Sequence, residues 1–337
     1  MIAAPALFGC ARTRRQRGFT MVELMVGITL GLLVLAVATT VFVNVSNNRR
    51  DTERVGRQIE NGRYAMQLLA DDLVNAGYYG EFDPRKIPLA ALPDPCSVDP
   101  GDMKSALMMH VQGFGPATAK PSCVSDVKAN TAAIAVRRVA TCVAGGPNCD
   151  PGTNGEIYLQ STLCNPELDN PDAGTHYVVA AAPGPFPLTR RGCAVAASLR
   201  KYEMHIYFVA NNNNAGDGIP TLKRAELRNG AFTIVPLVEG IENLQVEYGL
   251  DTDGISTPDA LTANPDTLAN WMNAVTARVH VLARTTDPNY AHTDVKTFNL
   301  GTDEGGNAIT VGPFNDNLKR HAYSETVRMN NPAGRRE

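Results

Sequence analysis

From Leu24 to Asn48 the chain carries no charged residue, and a stretch of that kind has few folded destinations. Built as a helix, Leu24–Val45 alone spans about 33 Å at 1.5 Å per residue, enough to cross the hydrocarbon core of a bilayer. Four arginines, Arg12, Arg14, Arg15 and Arg17, precede it with no acid among them. By the positive-inside rule they hold the start of the chain on the cytoplasmic face and send everything beyond Val45 across the membrane. One carboxylate, Glu23, sits at the start of the apolar run. An ionisable group in a membrane helix is costly and marks a function or a partner; a plain anchor with a stray glutamate near the interface is the simpler alternative. An ordinary secretory signal is cut after its apolar core, beside small residues. Here the apolar run directly follows Gly18-Phe19-Thr20, so a cut after Gly18 removes only the basic leader and keeps the helix.

Basic leader, Gly18-Phe19, and a glutamate at the fifth position after the cut together resemble the class III signal of type IV prepilins. The resemblance implies a leader over 1–18, cleavage between Gly18 and Phe19 by a prepilin peptidase, and N-methylation of Phe19 by the same enzyme. It also implies that Glu23 docks the subunit through the amino terminus of a neighbour. Gly27 and Gly31 make a small-xxx-small pair that suits close helix approach, and equally the ordinary small-residue usage of membrane helices.

The helix is expected to continue past the membrane. No proline occurs between Pro5 and Pro84, and Val55, Ile59, Gly62, Met66, Leu69, Leu73 and Ala76 recur at spacings of four and three with Arg, Glu, Gln and Asp between them. That pattern is one apolar stripe, suited to docking on the chain's own globular domain. Gly77-Tyr78-Tyr79-Gly80 supplies a stop. The expected organisation is a leader (1–18), a long helix (19–78) whose half 24–45 spans the membrane, and a β-rich globular domain (79–337).

Seven cysteines bear on that domain. Cys10 lies in the leader. Cys96, Cys123, Cys142, Cys149, Cys164 and Cys193 all fall in the part expected to be exported, where an even number points to disulfides and fifteen connectivities are open. Pairing in sequence order is the least committed choice, with Cys142–Cys149 the best founded because Gly-Gly-Pro-Asn between them is turn chemistry. Zinc competes, but there is no CxxC pair or adjacent histidine to support it. Taking the leader's four arginines from 31 Lys and Arg leaves 27 against 34 Asp and Glu, a formal charge of −7. A general positive field for nucleic acid is thereby excluded.

Residues 81–130 read as Pro/Gly/Asp/Ser-rich loops. Strands are expected at Ala133–Val139, Glu156–Gln160, His176–Ala181, Lys201–Val209, Thr221–Leu227, Ala231–Leu237, Ile241–Leu250, Val275–Arg284, Val295–Leu300 and Lys319–Met329. Asn229-Gly230 marks a hairpin turn, Asn264-Pro265 a short helix reaching Ala274, and the tail from Asn330 a frayed end. The fold class is α+β: a long amino-terminal helix on a mostly antiparallel sheet domain with disulfide-tied loops.

Chemistry is sparse. The six histidines have no metal-ligand spacing, and His205 and His280 read as surface or satisfied core residues. There is no phosphate loop, GxSxG elbow or HExxH, so no catalytic residue is assigned and no enzyme is expected. Asp251-Thr-Asp253-Gly254 resembles the opening of a calcium loop, with Asp251 and Asp253 as ligands and Asp217 a weaker second candidate. It departs from the pattern at Ile255 and Thr262, and a β-turn is the plainer alternative. No cofactor is expected otherwise.

Val238–Gly254, Trp271 and Val275–Arg284 resemble the carboxy-terminal region of PilW-type minor pilins, and Arg49–Tyr79 is similar to the same family; residues 81–200 are left without a counterpart. The resemblance implies a pilin-like fold and an inner-membrane, single-pass protein that joins the pilus at its tip. Its implied partners are other minor pilins, the major pilin, the prepilin peptidase and the inner-membrane assembly platform. The implied role is priming of type IV pilus assembly, with twitching motility and adhesion downstream. A type II secretion pseudopilin, and a periplasmic adhesin or enzyme on a pilin-like anchor, share the amino-terminal logic and stand as alternatives.

Overall fold

The structure, a computed structural model, describes residues 18–87 and 89–336; Arg12, Arg14, Arg15, Arg17 and Cys10 lie outside the described residues. The chain divides into two compact units, one ending at Glu53 and the other beginning at Arg54.

Helix α1 (Met21–Val74) belongs to both. In the first unit its apolar side chains are exposed all round, from Val22 to Val45. Its threonines turn their hydroxyls inward: Thr29 donates to the Met25 carbonyl (3.0 Å), Thr39 to Leu35 (2.7 Å) and Thr40 to Ala36 (2.6 Å). A helix that turns its threonine hydroxyls onto its own backbone and presents a largely apolar surface is suited to an apolar solvent.

In the second unit, α1 from Arg54 onward is followed by α2 (Pro100–Ser105), β1 (Val111–Phe114), β2 (Ala133–Val139), β3 (Ile157–Ser161), α3 (Asn165–Leu168) and β4 (Tyr177–Ala181). Then come β5 (Leu199–Ala210), β6 (Thr221–Arg228), β7 (Ala231–Glu239), β8 (Ile241–Leu250), β9 (Ala260–Thr262) and α4 (Leu268–Met272). The chain closes with β10 (Ala274–Arg284), β11 (Phe298–Thr302), β12 (Ala308–Val311), β13 (Arg320–Arg328) and α5 (Asn330–Gly334). The described residues form a seven-stranded sheet centred on β5, which pairs with β2 on one side and with β3 and β6 on the other. A four-stranded sheet has the order β13-β10-β8-β9, and β11-β12 is a separate hairpin; all pairings are antiparallel. The β6–β7 turn uses Asn229 (φ 49°) and Gly230 (φ 70°), the two positive φ values that a tight hairpin of matching twist requires.

Two cores follow from the alternation of strand side chains. Met66, Leu69 and Leu73 of α1, with Ala76 in the turn after it, pack with Ile134, Val136, Tyr207 and Val209 of the large sheet and Leu244, Val246, Val279 and Val281 of the small one. Each fully buried Met or Leu here contributes about 1.5–3 kcal/mol relative to exposure. The opposite face of the large sheet (Ala135, Tyr202, Met204, Phe208) packs against Tyr79, Met103 and Leu107. At Gly62 a Cβ would collide with the ring of Tyr323 on β13, so only glycine lets helix and strand approach this closely.

Several expectations change. The buried stripe of α1 includes Gln58 and Asp72, whereas Ile59 is 41 % exposed. Gln58 reaches the core face because its amide donates to the Ala283 carbonyl (2.9 Å), leaving no buried donor unmet. Residues 81–130 hold α2 and β1 as well as loops. The helix expected at Asn264-Pro265 starts at Leu268, capped by Thr267, whose hydroxyl accepts from the Asn270 N–H (3.1 Å). The strand expected at Val295–Leu300 does not join the main sheets; β11 begins at Phe298 and pairs only with β12. Asp294 is drawn inward by Arg320 (3.1 Å), which keeps the segment before β11 as a loop. The tail is not frayed: Asn330–Gly334 is helical with Pro332 and Ala333 buried.

Candidate functional site

The amino-terminal motif occupies the start of α1. Gly18, Phe19 and Thr20 precede the helix and are exposed, Phe19 by 85 %. Thr20 caps it: the threonine hydroxyl oxygen accepts from the Glu23 N–H (3.2 Å), and the Glu23 carboxylate accepts from the Thr20 N–H (3.0 Å) and hydroxyl (2.9 Å). This reciprocal pair is a capping box, written in the sequence as Thr-x-x-Glu. Glu23 therefore has a local partner one residue from Phe19, whose α-amine a cut after Gly18 would create. Gly27 and Gly31 sit on the same helix, with nothing within 4 Å of a Cβ at either.

Further along, α1 is fastened to its domain by a buried polar seam. Asp72, 5 % exposed, accepts from Arg138 Nε (2.6 Å), pairs with His205 Nδ1 (2.7 Å) and accepts from the Tyr207 hydroxyl (3.0 Å). Burial pushes its carboxyl pKa up, but the charges and hydrogen bonds of His205 and Arg138 outweigh that and hold it well below the ordinary carboxylate range. Arg138 also contacts Glu203. The sequence reading placed Asp72 among the solvent-facing charges. Its position three residues after Leu69 and four before Ala76 puts it on the core face, a signal the periodicity already contained. Asn61 adds a bond to the Glu239 carbonyl (3.1 Å).

The carboxy-terminal segment closes the other end. Arg335 donates to the Gly77 carbonyl (2.7 Å), and Arg336 donates to Met272 (3.1 Å) and Asp251 (2.8 Å) carbonyls. That last contact bears on the calcium candidates. Asp251, Asp253 and Asp259 bring carboxylate oxygens within 4.8 Å of one another. Yet the Asp251 carboxylate already accepts from the N–H groups of Gly254 (2.7 Å), Ile255 (3.2 Å) and Ser256 (3.0 Å), with Arg336 at 3.4 Å. Burial raises its pKa, but those N–H bonds and Arg336 prevail and keep it low. A cation there would have to displace an arginine. Asp217 is similarly engaged by the N–H groups of Asn213 (3.1 Å), Asn214 (2.7 Å) and Ile219 (2.9 Å).

One constellation escaped the sequence reading because its members lie on four strands. The Ser324 hydroxyl is 3.0 Å from His280 Nδ1, His280 Nε2 is 2.9 Å from Glu247, and Glu247 also accepts from Thr302 (2.8 Å). The order hydroxyl–imidazole–carboxylate is that of a charge relay. Ser324, however, sits in the middle of β13 rather than at an elbow or helix start where backbone N–H groups can converge on an oxyanion. Its evident work is to fasten β8, β10, β13 and β11, and His280 is a satisfied histidine as its strand position implied.

Disulfides join Cys96–Cys123, Cys142–Cys149 and Cys164–Cys193, the sequence-order pairing, with Cα separations of 5.6, 6.0 and 5.0 Å. All six cysteines lie before β5. The comparisons divide the chain at nearly the same place. Residues 206–331 match the family model described as Type IV Pilus-assembly protein W, and residues 13–39 match that of the prokaryotic N-terminal methylation motif. No match was found among curated proteins or among solved structures. The matched segments hold the capped helix start and the strands from β6 to β13; the disulfides fall between them.

Proposed function

We propose that this chain, whose two matched segments support a PilW-type pilin, acts as a minor subunit that joins a tip or priming complex of the type IV pilus. The observation that carries the reading is the coexistence of both matches on one chain, an amino-terminal methylation motif on an apolar helix and the PilW region after it. In this reading the protein is held in the inner membrane by α1, with its domain in the periplasm. The peptidase trims it after Gly18 and methylates Phe19, and Glu23 then leaves its own Thr20 for the amino terminus of an adjoining subunit. Other minor pilins, the major pilin and the assembly platform are its partners. The bulk of the domain favours a place at the end of a filament over a repeated one along its shaft. The chain supplies position and contact, no cofactor enters, and work comes from elsewhere.

Deletion of the protein, scored for surface pili and twitching beside exoenzyme secretion, tests this. Lost pili with intact secretion is the expected result. Lost secretion with normal pili would move the chain to the pseudopilins, and no change in either would leave an anchored adhesin. Gly18→Asp should block trimming; a normally trimmed product would refute the cleavage assignment.

A further inference from the structure

A chain with a formal charge of −7 after trimming should present few cationic surfaces, and one stands out. Between the α1 segment Val55–Arg63 and the start of β13 lies a cleft of about 530 Å³, with Arg63, His292, Lys296 and His321 on its walls. Its one acid, Asp294, is 1 % exposed and spent on Arg320 (3.1 Å), so it does not offset the rim. Among the described residues Arg63 and Lys296 make no ion pair. Ile59, which left the core stripe to stand 41 % exposed, adds an apolar wall.

The cleft is also open along one side. It continues past Tyr323 into a second cavity of about 390 Å³ between α1 and β13, and β13 is the last strand of its sheet. An edge strand offers unpaired N–H and C=O groups to an extended segment. A lone inorganic anion would use the cations but neither the apolar wall nor the strand edge. A peptide uses all three. Asp71 and Glu325 at the far end repel acid there, so the carboxylates must sit at the Arg63–Lys296 end.

We propose that this cleft is a docking site for an extended acidic segment of a neighbouring subunit, its carboxylates held by Arg63, Lys296 and His321. The identity of the partner rests on the reading of the chain as a filament subunit; the binding itself does not, and it is measured without assembly.

The full-length protein in detergent micelles is titrated into fluorescein-labelled hexaglutamate at low salt, followed by anisotropy, with hexalysine as the sign control. Hexaglutamate should bind, hexalysine should not, and Arg63→Glu with Lys296→Glu should weaken hexaglutamate at least tenfold. Arg190→Glu with Arg191→Glu, an equal charge change at exposed positions elsewhere, should leave binding intact, and unchanged Trp271 emission certifies that both variants fold. No binding, or equal loss in both variants, would overturn the site. Displacement by equimolar inorganic phosphate would overturn the peptide assignment in favour of a free anion.

Discussion

Asp72→Asn tests the fastening of α1 most directly. The substitution keeps the volume of the side chain and removes its charge from a site that is 5 % exposed and faces Arg138 at 2.6 Å and His205 at 2.7 Å. Breaking a buried ion pair by removing one partner costs about 3–5 kcal/mol, because the remaining charge stays desolvated. Arg138 retains Glu203, itself partly exposed, which places the expected cost near the lower end, about 3 kcal/mol, or roughly a hundredfold in the folding constant. The assay is denaturant unfolding of the full-length protein in micelles, read by Trp271, the one tryptophan, buried with its ring 4.8 Å from Tyr248. The pH dependence fixes the cause. A carboxylate whose folded pKa lies below its unfolded one contributes fully above the ordinary carboxylate range and loses that contribution as pH falls through the folded value. The wild-type and Asp72→Asn stabilities should therefore differ most near neutrality and converge in acid. A cost below about 1 kcal/mol, with the two pH profiles parallel, would refute the account of the seam.

Three further outcomes are expected. Glu23→Ala removes one half of the capping box, about 1 kcal/mol of helix stability, too little to eject an apolar span; membrane fractionation should find the variant inserted while immunoblots of sheared pili find it missing, and normal incorporation would count against docking. Cys164→Ser with Cys193→Ser opens a loop with a sequence separation of 29 and should cost about 3–4 kcal/mol, against about 2–3 for Cys142→Ser with Cys149→Ser and its separation of 7, measured by unfolding midpoints under oxidising conditions. Burial pushes the His110 pKa down to about 4 from 6.5. A histidine kept neutral in the fold gives up stability as pH drops below the unfolded value and stops doing so below the folded one, so about 3 kcal/mol should go between pH 6.5 and 4, and His110→Gln should lack that slice.

What the sequence made legible is what local physics decides. The apolar run and the Asn229-Gly230 turn depend on neighbours within a few residues, and each stands where the residues put it, whereas the equally local Thr20–Glu23 box was passed over because Glu23 was read only as a docking group. Strands of the small sheet were also readable, because one face of β8 and β10 packs on α1 and enforces alternation. The failures are positions where a distant side chain decides the outcome. Ile59 and Gln58 compete for the same turn of α1, and only the Ala283 carbonyl, 225 residues away, decides for the glutamine. Asp294 cannot be read as a loop pin without knowing that Arg320 lies behind it.

Arg137 and Arg138 sharpen the point. Two consecutive arginines in a strand otherwise fit for a core look like an edge or an error, since charged residues are seldom buried unpaired. A strand sends neighbours to opposite faces, so if both are inside, each face must hold an acceptor. Arg138 on the helix side finds Asp72, the one carboxylate of α1 that is buried; Arg137 on the other side finds the Met109 carbonyl (3.1 Å) and Gln112 (2.9 Å). With both arginines inside, β2 lies between two cores, and the buried Asp72 of the helix is the acceptor that Arg138 requires. Helix and sheet are then locked in register by a charge pair as well as by the apolar stripe, and neither contact can be shifted along the helix without leaving Arg138 or Asp72 buried and unpaired.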